Sequence, residues 1–142
     1  MIDNFNNEYK YLSNFYVAQV FWNGLVWKSS EHAYQAAKTL DRTLQIECCS
    51  LSTPGQAKRW GNSAKVKERM REDWAEVKVN IMREILLDKF TRHPYLRELL
   101  ISTGDQELIE GNYWGDTFWG VCKGVGENWL GKVLMEIREK IK

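Results

Sequence analysis

The first clear pattern of apolar and polar positions is a hairpin. Residues 15–28 place β-branched and aromatic side chains (Val17, Val20, Phe21, Trp22, then Val26 and Trp27) on both sides of Asn23-Gly24. Asn-Gly between such flanks is a strong short-range hairpin signal. The period then changes to that of helices. Ser29 or Ser30 is placed to cap a helix from Glu31 to about Leu40, and Asp41 to about Leu51 predicts a second. Thr53-Pro54 joins an N-cap to a proline at the first helical position, and Gly61 is a stop, so a short helix is expected over 54–60. Val66, Met70, Trp74, Val77, Ile81 and Ile85 recur at three- to four-residue spacing, which predicts one long helix from about Ala64 to Phe90. His93-Pro94 ends it, and Pro94 starts a short helix closing near Thr103-Gly104. Residues 106–127 are glycine-rich and irregular, with short strands expected at Leu108-Ile109 and Phe118–Cys122. A last helix is expected from about Asn128 to Ile141, with Leu130, Leu134, Ile137 and Ile141 on one side. The pattern implies a mainly α fold: a compact single-domain orthogonal helical bundle over residues 1–142 with a small N-terminal β-hairpin.

Composition narrows the function classes. The chain has 142 residues, of which 44% are hydrophobic and 27% charged, enough for one domain with a core. No apolar run approaches the roughly 18–20 residues of a membrane span. The start, Met1-Ile2-Asp3-Asn4-Phe5, lacks the basic and apolar regions of a secretory signal, so a cytoplasmic location is expected. Three cysteines, two of them adjacent (Cys48, Cys49, Cys122), fit neither a disulfide framework nor a zinc site. A net charge of +1 without a basic block argues against a general DNA-binding scaffold, while leaving room for one nucleotide or base in a pocket. Seven tryptophans are the unusual feature, since tryptophan serves both cores and flat-ligand sites.

Two segments hold groups suited to chemistry. In Ser29-Ser30-Glu31-His32-Ala33-Tyr34-Gln35-Ala36-Ala37-Lys38, the residues Glu31, Gln35 and Lys38 fall on one helical stripe, opposite Ala33, Ala36, Ala37 and Leu40. A carboxylate, an amide and an amine in line are either a solvated face favoured by the helix dipole or one wall of a site. His32, with no second ligand at metal spacing, reads as a packed or hydrogen-bonded histidine. The second segment is Asn112-Tyr113-Trp114-Gly115-Asp116-Thr117-Phe118-Trp119-Gly120, followed by Gly124, Gly126 and Asn128. Its glycines permit close backbone approach to a ligand, its aromatic rings can wall a flat pocket, and Asp116 is either a carboxylate in a poorly solvated place or a turn residue. Trp74 reads as mid-helix core or, with Lys78 and Met82 on the same side, as part of a site lining. Ser13 and Asn14 either cap a turn or bind a ligand. Phosphate-loop, dinucleotide-binding, nucleophile-elbow, zinc and kinase motifs are all absent.

Taken together and in order, these segments resemble the NADAR (YbiA-like) superfamily. The matching stretches are Ser13-Asn14-Phe15-Tyr16, Trp27 through Lys38, Trp74-Ala75-Glu76-Val77-Lys78 with Met82, Asp116-Thr117-Phe118-Trp119-Gly120, and Gly126-Glu127-Asn128 through Arg138. The run Val121-Cys122-Lys123-Gly124 departs from the small or polar residues expected after Trp-Gly, a change that bears on loop contacts and substrate choice. The resemblance implies a mainly α fold and an N-glycosidase that needs no metal or cofactor. It implies catalytic roles for Glu31, Trp74 and Asp116, with Lys38 a further candidate. Ser13, Asn14, Phe15, Gln35, Trp119, Gly120 and Asn128 are the expected substrate-binding positions. Family members are linked to ribosylaminopyrimidine phosphates of early riboflavin biosynthesis, and others to removal of ADP-ribose from guanine in DNA. In both substrates ribose C1 is bonded to an exocyclic amine of a flat heterocycle. Three readings stand: hydrolysis of a small phosphorylated ribosyl-heterocycle, hydrolysis of ADP-ribosylated DNA, and non-catalytic binding of ADP-ribose or NAD. A basic groove of Arg59, Lys65, Lys67, Arg69 and Arg71 would favour DNA, and the joint presence of Glu31 and Asp116 argues against a mere binder. The oligomeric state is left open.

Overall fold

A computed structural model describes all residues, 1–142. The chain folds as two units: Asn14–Lys89, and Met1–Ser13 together with Phe90–Lys142. Most of it is helix.

The Asn14–Lys89 unit begins with the expected hairpin. Strands β1 (Val17–Trp22) and β2 (Leu25–Ser29) pair antiparallel, with Trp22 opposite Leu25 and Val20 opposite Trp27. Asn23 (φ 52°) and Gly24 (φ 79°) supply the two positive φ angles that a type I′ turn requires. One face of the hairpin is core: Ala18, Val20 and Trp27 are buried, and the Trp27 indole N–H donates to the Trp22 carbonyl at 2.9 Å. Burying a ring of that size contributes about 3 kcal/mol.

Helix α1 (Ser30–Ala36) follows at once, with Ser29 as its N-cap. It is shorter than the expected 31–40. Residues 37–38 turn, and Leu40, expected on the apolar side, is 70% exposed. Helix α2 (Arg42–Cys49) is capped by Asp41, whose side chain accepts from Leu44 N at 3.2 Å. Helix α3 (Pro54–Gly61) has the expected Thr53 N-cap and Pro54, and Gln56 completes a capping box with Thr53.

The long helix expected over 64–90 is two helices, α4 (Ala64–Glu68) and α5 (Trp74–Arg92). Contacts from outside the segment cause the break. The amide of Arg71 donates to the Lys38 carbonyl at 2.8 Å, and Met70 forms an isolated antiparallel bridge with Thr39. The Arg71 guanidinium binds Asp73 at 2.6 and 3.1 Å. Trp74 therefore opens α5 instead of lying mid-helix. The four-residue spacing of Met70 and Trp74 does not reflect a continuous apolar face, for Met70 is exposed.

In the other unit, Ile2 pairs with the chain near Leu108: Ile2 N donates to Glu107 O at 2.9 Å, and Ile109 N to Ile2 O at 2.8 Å. A 3-10 turn spans Asn7–Leu12. Helix α6 (Pro94–Ser102) starts at Pro94 as expected. One strand lies where expected and one does not: β4 (Val121–Cys122) falls within Phe118–Cys122 and pairs in parallel with β3 (Gly111–Asn112), while Leu108 makes only the isolated bridge to Ile2. Helix α7 (Trp129–Ile141) buries Leu130, Leu134, Ile137 and Ile141, the expected stripe. Asn128 precedes it in the left-handed region (φ 56°), outside the helix expected to begin there.

Candidate active site

Every residue of α1 is buried, its polar stripe included. Three anchors hold its first turn. Ser29 Oγ accepts from His32 N at 3.2 Å. The Asn14 carbonyl accepts from Glu31 N at 3.2 Å, and Asn14 Oδ1 accepts from Ser30 Oγ at 2.8 Å. His32 locks the same turn, with Nδ1 2.7 Å from Ser29 Oγ and Nε2 3.0 Å from the Leu51 carbonyl. A carbonyl only accepts, so Nε2 carries the proton and Nδ1 takes the Ser29 hydroxyl proton. Burial, the largest influence, lowers the His32 pKa and keeps the ring neutral. His32 is thus a structural pin, and the free thiol of Cys48, donating to the His32 carbonyl at 3.4 Å, is pushed up to about 12 by burial. No three His, Cys, Asp or Glu side chains gather as metal ligands.

On that pinned turn Glu31 holds a buried carboxylate, and Gln35 Nε2 donates to its Oε2 at 2.7 Å. Such charge-assisted bonds contribute about 1.5–3 kcal/mol. The same amide leaves Gln35 Oε1 buried with no hydrogen-bond partner. Leaving an acceptor unmet costs about 1–3 kcal/mol. The reverse amide orientation would set an oxygen against the carboxylate. Gln35 Oε1 faces Gly61 of α3, where a Cβ would stand 1.9 Å from it. Lys38 is buried too, and its Nζ donates to the Gly61 carbonyl at 3.5 Å. Burial holds the Lys38 amine below its ordinary 10.5; Glu31 opposes that shift, while Lys67, Lys78 and Lys58 add to it.

Trp74, half-buried at the start of α5, lies against α1 through Tyr34, with ring centroids 5.3 Å apart and planes tilted by 50°. Phe15 is exposed, with Lys58 Nζ 5.9 Å from its ring centre. The Asn14–Lys89 unit thus brings Asn14, Glu31, Gln35, Lys38 and Trp74 onto or against one helix. Neither Tyr34 nor Gly61 stood out as a site position in the sequence. Gly61 read simply as a helix stop, though its φ is not positive, so its lack of a side chain answers a steric need. A cleft of about 540 Å³ also lies over Thr39–Asp41 and Arg69–Asp73, but it is spanned by the Arg69–Asp41 and Arg71–Asp73 ion pairs and lined by none of these five residues.

The glycine-rich loop belongs to the other unit and is built around Asp116. Asp116 Oδ1 accepts from Phe118 N at 3.1 Å and Trp119 N at 2.9 Å. Asn112 grips its backbone: Oδ1 accepts from Asp116 N at 3.1 Å, and Nδ2 donates to Asp116 O at 2.9 Å. The bend exposes the pair Tyr113 and Trp114, at 88% and 53%. Carbonyls of Phe118 and Trp119 then accept from the first amides of α7, Trp129 N at 3.1 Å and Leu130 N at 2.9 Å. Asn128 Nδ2 donates to Leu108 O and its Oδ1 accepts from Glu110 N, both at 2.9 Å, so its amide is occupied within the loop. Gly120 is buried where a Cβ would stand 2.1 Å from the Glu110 carbonyl oxygen. Ser13 ends the 3-10 turn, its N donating to Lys10 O at 3.0 Å.

A buried, oriented carboxylate, a weakened amine and an aromatic ring gathered at α1 are groups suited to chemistry at a sugar–amine bond. The family model for the NADAR domain matches residues 2–142. The chain belongs to the NADAR domain family. It is 36% identical over 140 residues to the N-glycosidase YbiA of Escherichia coli, covering 96% of this chain and 84% of that protein. An N-glycosidase of Nostoc punctiforme is 38% identical over 138 residues, covering 94% and 86%. A riboflavin biosynthesis protein of Vibrio vulnificus is 38% identical over 133 residues, which are 93% of this chain but 35% of that longer protein. The solution structure of E. coli YbiA superposes with a TM-score of 0.85 over 99% of this chain and 86% of that one, at 35% identity. These relationships make the chain a hydrolase of N-glycosyl bonds. No helix is long and apolar enough to cross a membrane.

Proposed function

We propose that this NADAR enzyme hydrolyses the bond between ribose C1 and the exocyclic amine of a ribosylaminopyrimidine 5′-phosphate of riboflavin biosynthesis, in the cytoplasm, with residues 1–142 working as one domain. The carrying observation is the buried Glu31 carboxylate, oriented by Gln35 at 2.7 Å on α1, with the weakened amine of Lys38 in the turn that follows that helix. Cleavage of the C1–N bond builds positive charge at C1, which a fixed carboxylate in a water-poor place stabilises. In the direct route Glu31 accepts a proton from water. The water oxygen then bonds to C1, and the C1–N bond breaks as the proton taken up by Glu31 passes to the leaving amine, so that the carboxylate is restored. In the alternative route the glycosylamine opens to an imine, neutral Lys38 Nζ adds to C1, and the heterocyclic amine departs protonated. Water then releases the sugar from the lysine. A lowered lysine pKa supports the second route, because only the neutral amine attacks.

The Trp74 ring is assigned to stacking on the heterocycle, at about 1–3 kcal/mol per stacked base. Asp116, with one carboxylate oxygen outside its turn bonds, and Trp119, Ser13, Asn14, Phe15, Gln35, Gly120 and Asn128 are assigned to catalysis or substrate contact on the motif match. Of the five basic residues weighed for a nucleic-acid groove, Lys65, Arg69 and Arg71 pair with Glu47, Asp41 and Asp73. That pairing favours the small substrate over ADP-ribosylated DNA. The test incubates the protein with the aminopyrimidine ribotide, ADP-ribosylated DNA and free ADP-ribose, with Glu31→Ala as control, and follows release of ribose phosphate or ADP-ribose by chromatography. Release of ribose phosphate by wild type alone is expected. Release only from DNA overturns the substrate, and equal inertness with ADP-ribose binding overturns the enzyme.

A further inference from the structure

We infer that Gly61 is a positioning residue for Glu31, acting through Gln35; this rests on the catalytic role proposed for Glu31. The backbone of α3 at Gly61 forms a slot without a side chain, and the Gln35 amide fills it. A methyl group there would stand 1.9 Å from Gln35 Oε1, 2.7 Å from its Cδ and 3.1 Å from its Cβ. Exposed glutamines swing aside from such a clash at little cost, but Gln35 is 4% exposed and its other amide atom is bonded to Glu31 at 2.7 Å. The amide cannot leave the slot without releasing the carboxylate. The slot also explains the orphaned Oε1, which is buried in the space a side chain at position 61 would take. Gly61 has no positive φ, so alanine suits its backbone and any effect of a methyl must come from the contact. The Gly61 carbonyl, which accepts from Lys38, is retained in alanine.

The experiment is a double-mutant cycle on hydrolysis of the aminopyrimidine ribotide, with wild type, Gly61→Ala, Gln35→Ala, the double variant and Glu31→Gln, each assayed across pH. Gly61→Ala is expected to lower kcat/KM by ~10- to 150-fold, the worth of one charge-assisted hydrogen bond. It should move the acid limb of the pH–rate profile to higher pH, because a carboxylate without its donor takes up a proton more readily. In the Gln35→Ala background the same change should have only a small effect, because the amide that the methyl would strike is gone and only the 3.1 Å approach to the Cβ of residue 35 remains, which a shift of a few tenths of an ångström relieves. If Gly61→Ala does not fold, the double variant must. A double variant that also fails to fold, or effects that simply add, would show that the glycine serves helix packing alone and would overturn the inference. Wild-type behaviour of Gly61→Ala with an inactive Glu31→Gln overturns this inference and leaves the catalytic reading intact. Glu31→Gln as active as wild type overturns both.

Discussion

Replacing Asp116 by asparagine and by alanine separates two jobs that one side chain can do. As a turn former, Asp116 uses a single oxygen, Oδ1, to receive the amides of Phe118 and Trp119 at 3.1 and 2.9 Å. Asparagine offers the same oxygen in the same place without the charge. Each bond then falls from the charge-assisted range of about 1.5–3 kcal/mol toward the neutral range of about 0.5–1.5. Asp116 is only half-buried, and water offsets much of that difference. Asp116→Asn should therefore cost about 1 kcal/mol of stability. Alanine leaves both amides without a protein partner and loosens the carbonyls that receive the first turn of α7, at about 2–4 kcal/mol. If the second oxygen stabilises developing positive charge, asparagine turns that face from an anion into an N–H donor. The expected fall in kcat is then ~100- to 1000-fold in a folded protein. Urea unfolding gives the stabilities, and kcat on the aminopyrimidine ribotide gives the function. Asp116→Asn with activity within about fivefold of wild type, beside an Asp116→Ala whose activity falls only with its folded fraction, would refute the catalytic role and leave a turn residue.

Two further predictions concern buried amines. Borohydride added during turnover should trap the sugar on Lys38, detected as a mass increase on the peptide that contains it and missing from Lys38→Met; an active wild type without that adduct leaves the direct water route. Lys89 is wholly buried, and burial pushes its amine from 10.5 down to about 7. Between those values the unfolded chain binds a proton that the folded chain does not, so stability rises as pH rises through that window, by about 5 kcal/mol at most. Lys89→Met should flatten that rise between about pH 7 and 10 in urea unfolding and be the more stable protein at pH 7, offset in part by the lost contact with the Tyr16 ring, 5.6 Å away; an unchanged slope would refute the assignment.

What the sequence determined alone is local. Asn23-Gly24, the Ser29 cap, the Thr53–Gln56 box and Pro94 each act through φ angles and hydrogen bonds that close within four residues. The chain needs no distant partner to satisfy them, and their elements start where they were expected. The spacing of Glu31, Gln35 and Lys38 was legible for the same reason, since a helix sets which side chains share a face. Whether that face meets water was not legible. Its burial depends on α3 and α5, which lie 18 or more residues away in sequence. The break between α4 and α5 was hidden because its cause is a bond from Arg71 back to Lys38, while the periodicity ran on across it. That the Asn128 amide bonds Leu108 and Glu110 was likewise hidden, because both partners lie 18 or more residues away along the chain. Gly61 is the sharpest case. As a residue type it signals a helix end, yet its use comes from a side chain 26 positions earlier that needs the space a methyl would fill. Residue type and spacing specify which groups can face one way. Only packing between distant segments decides which of them are dry, held and close enough to react.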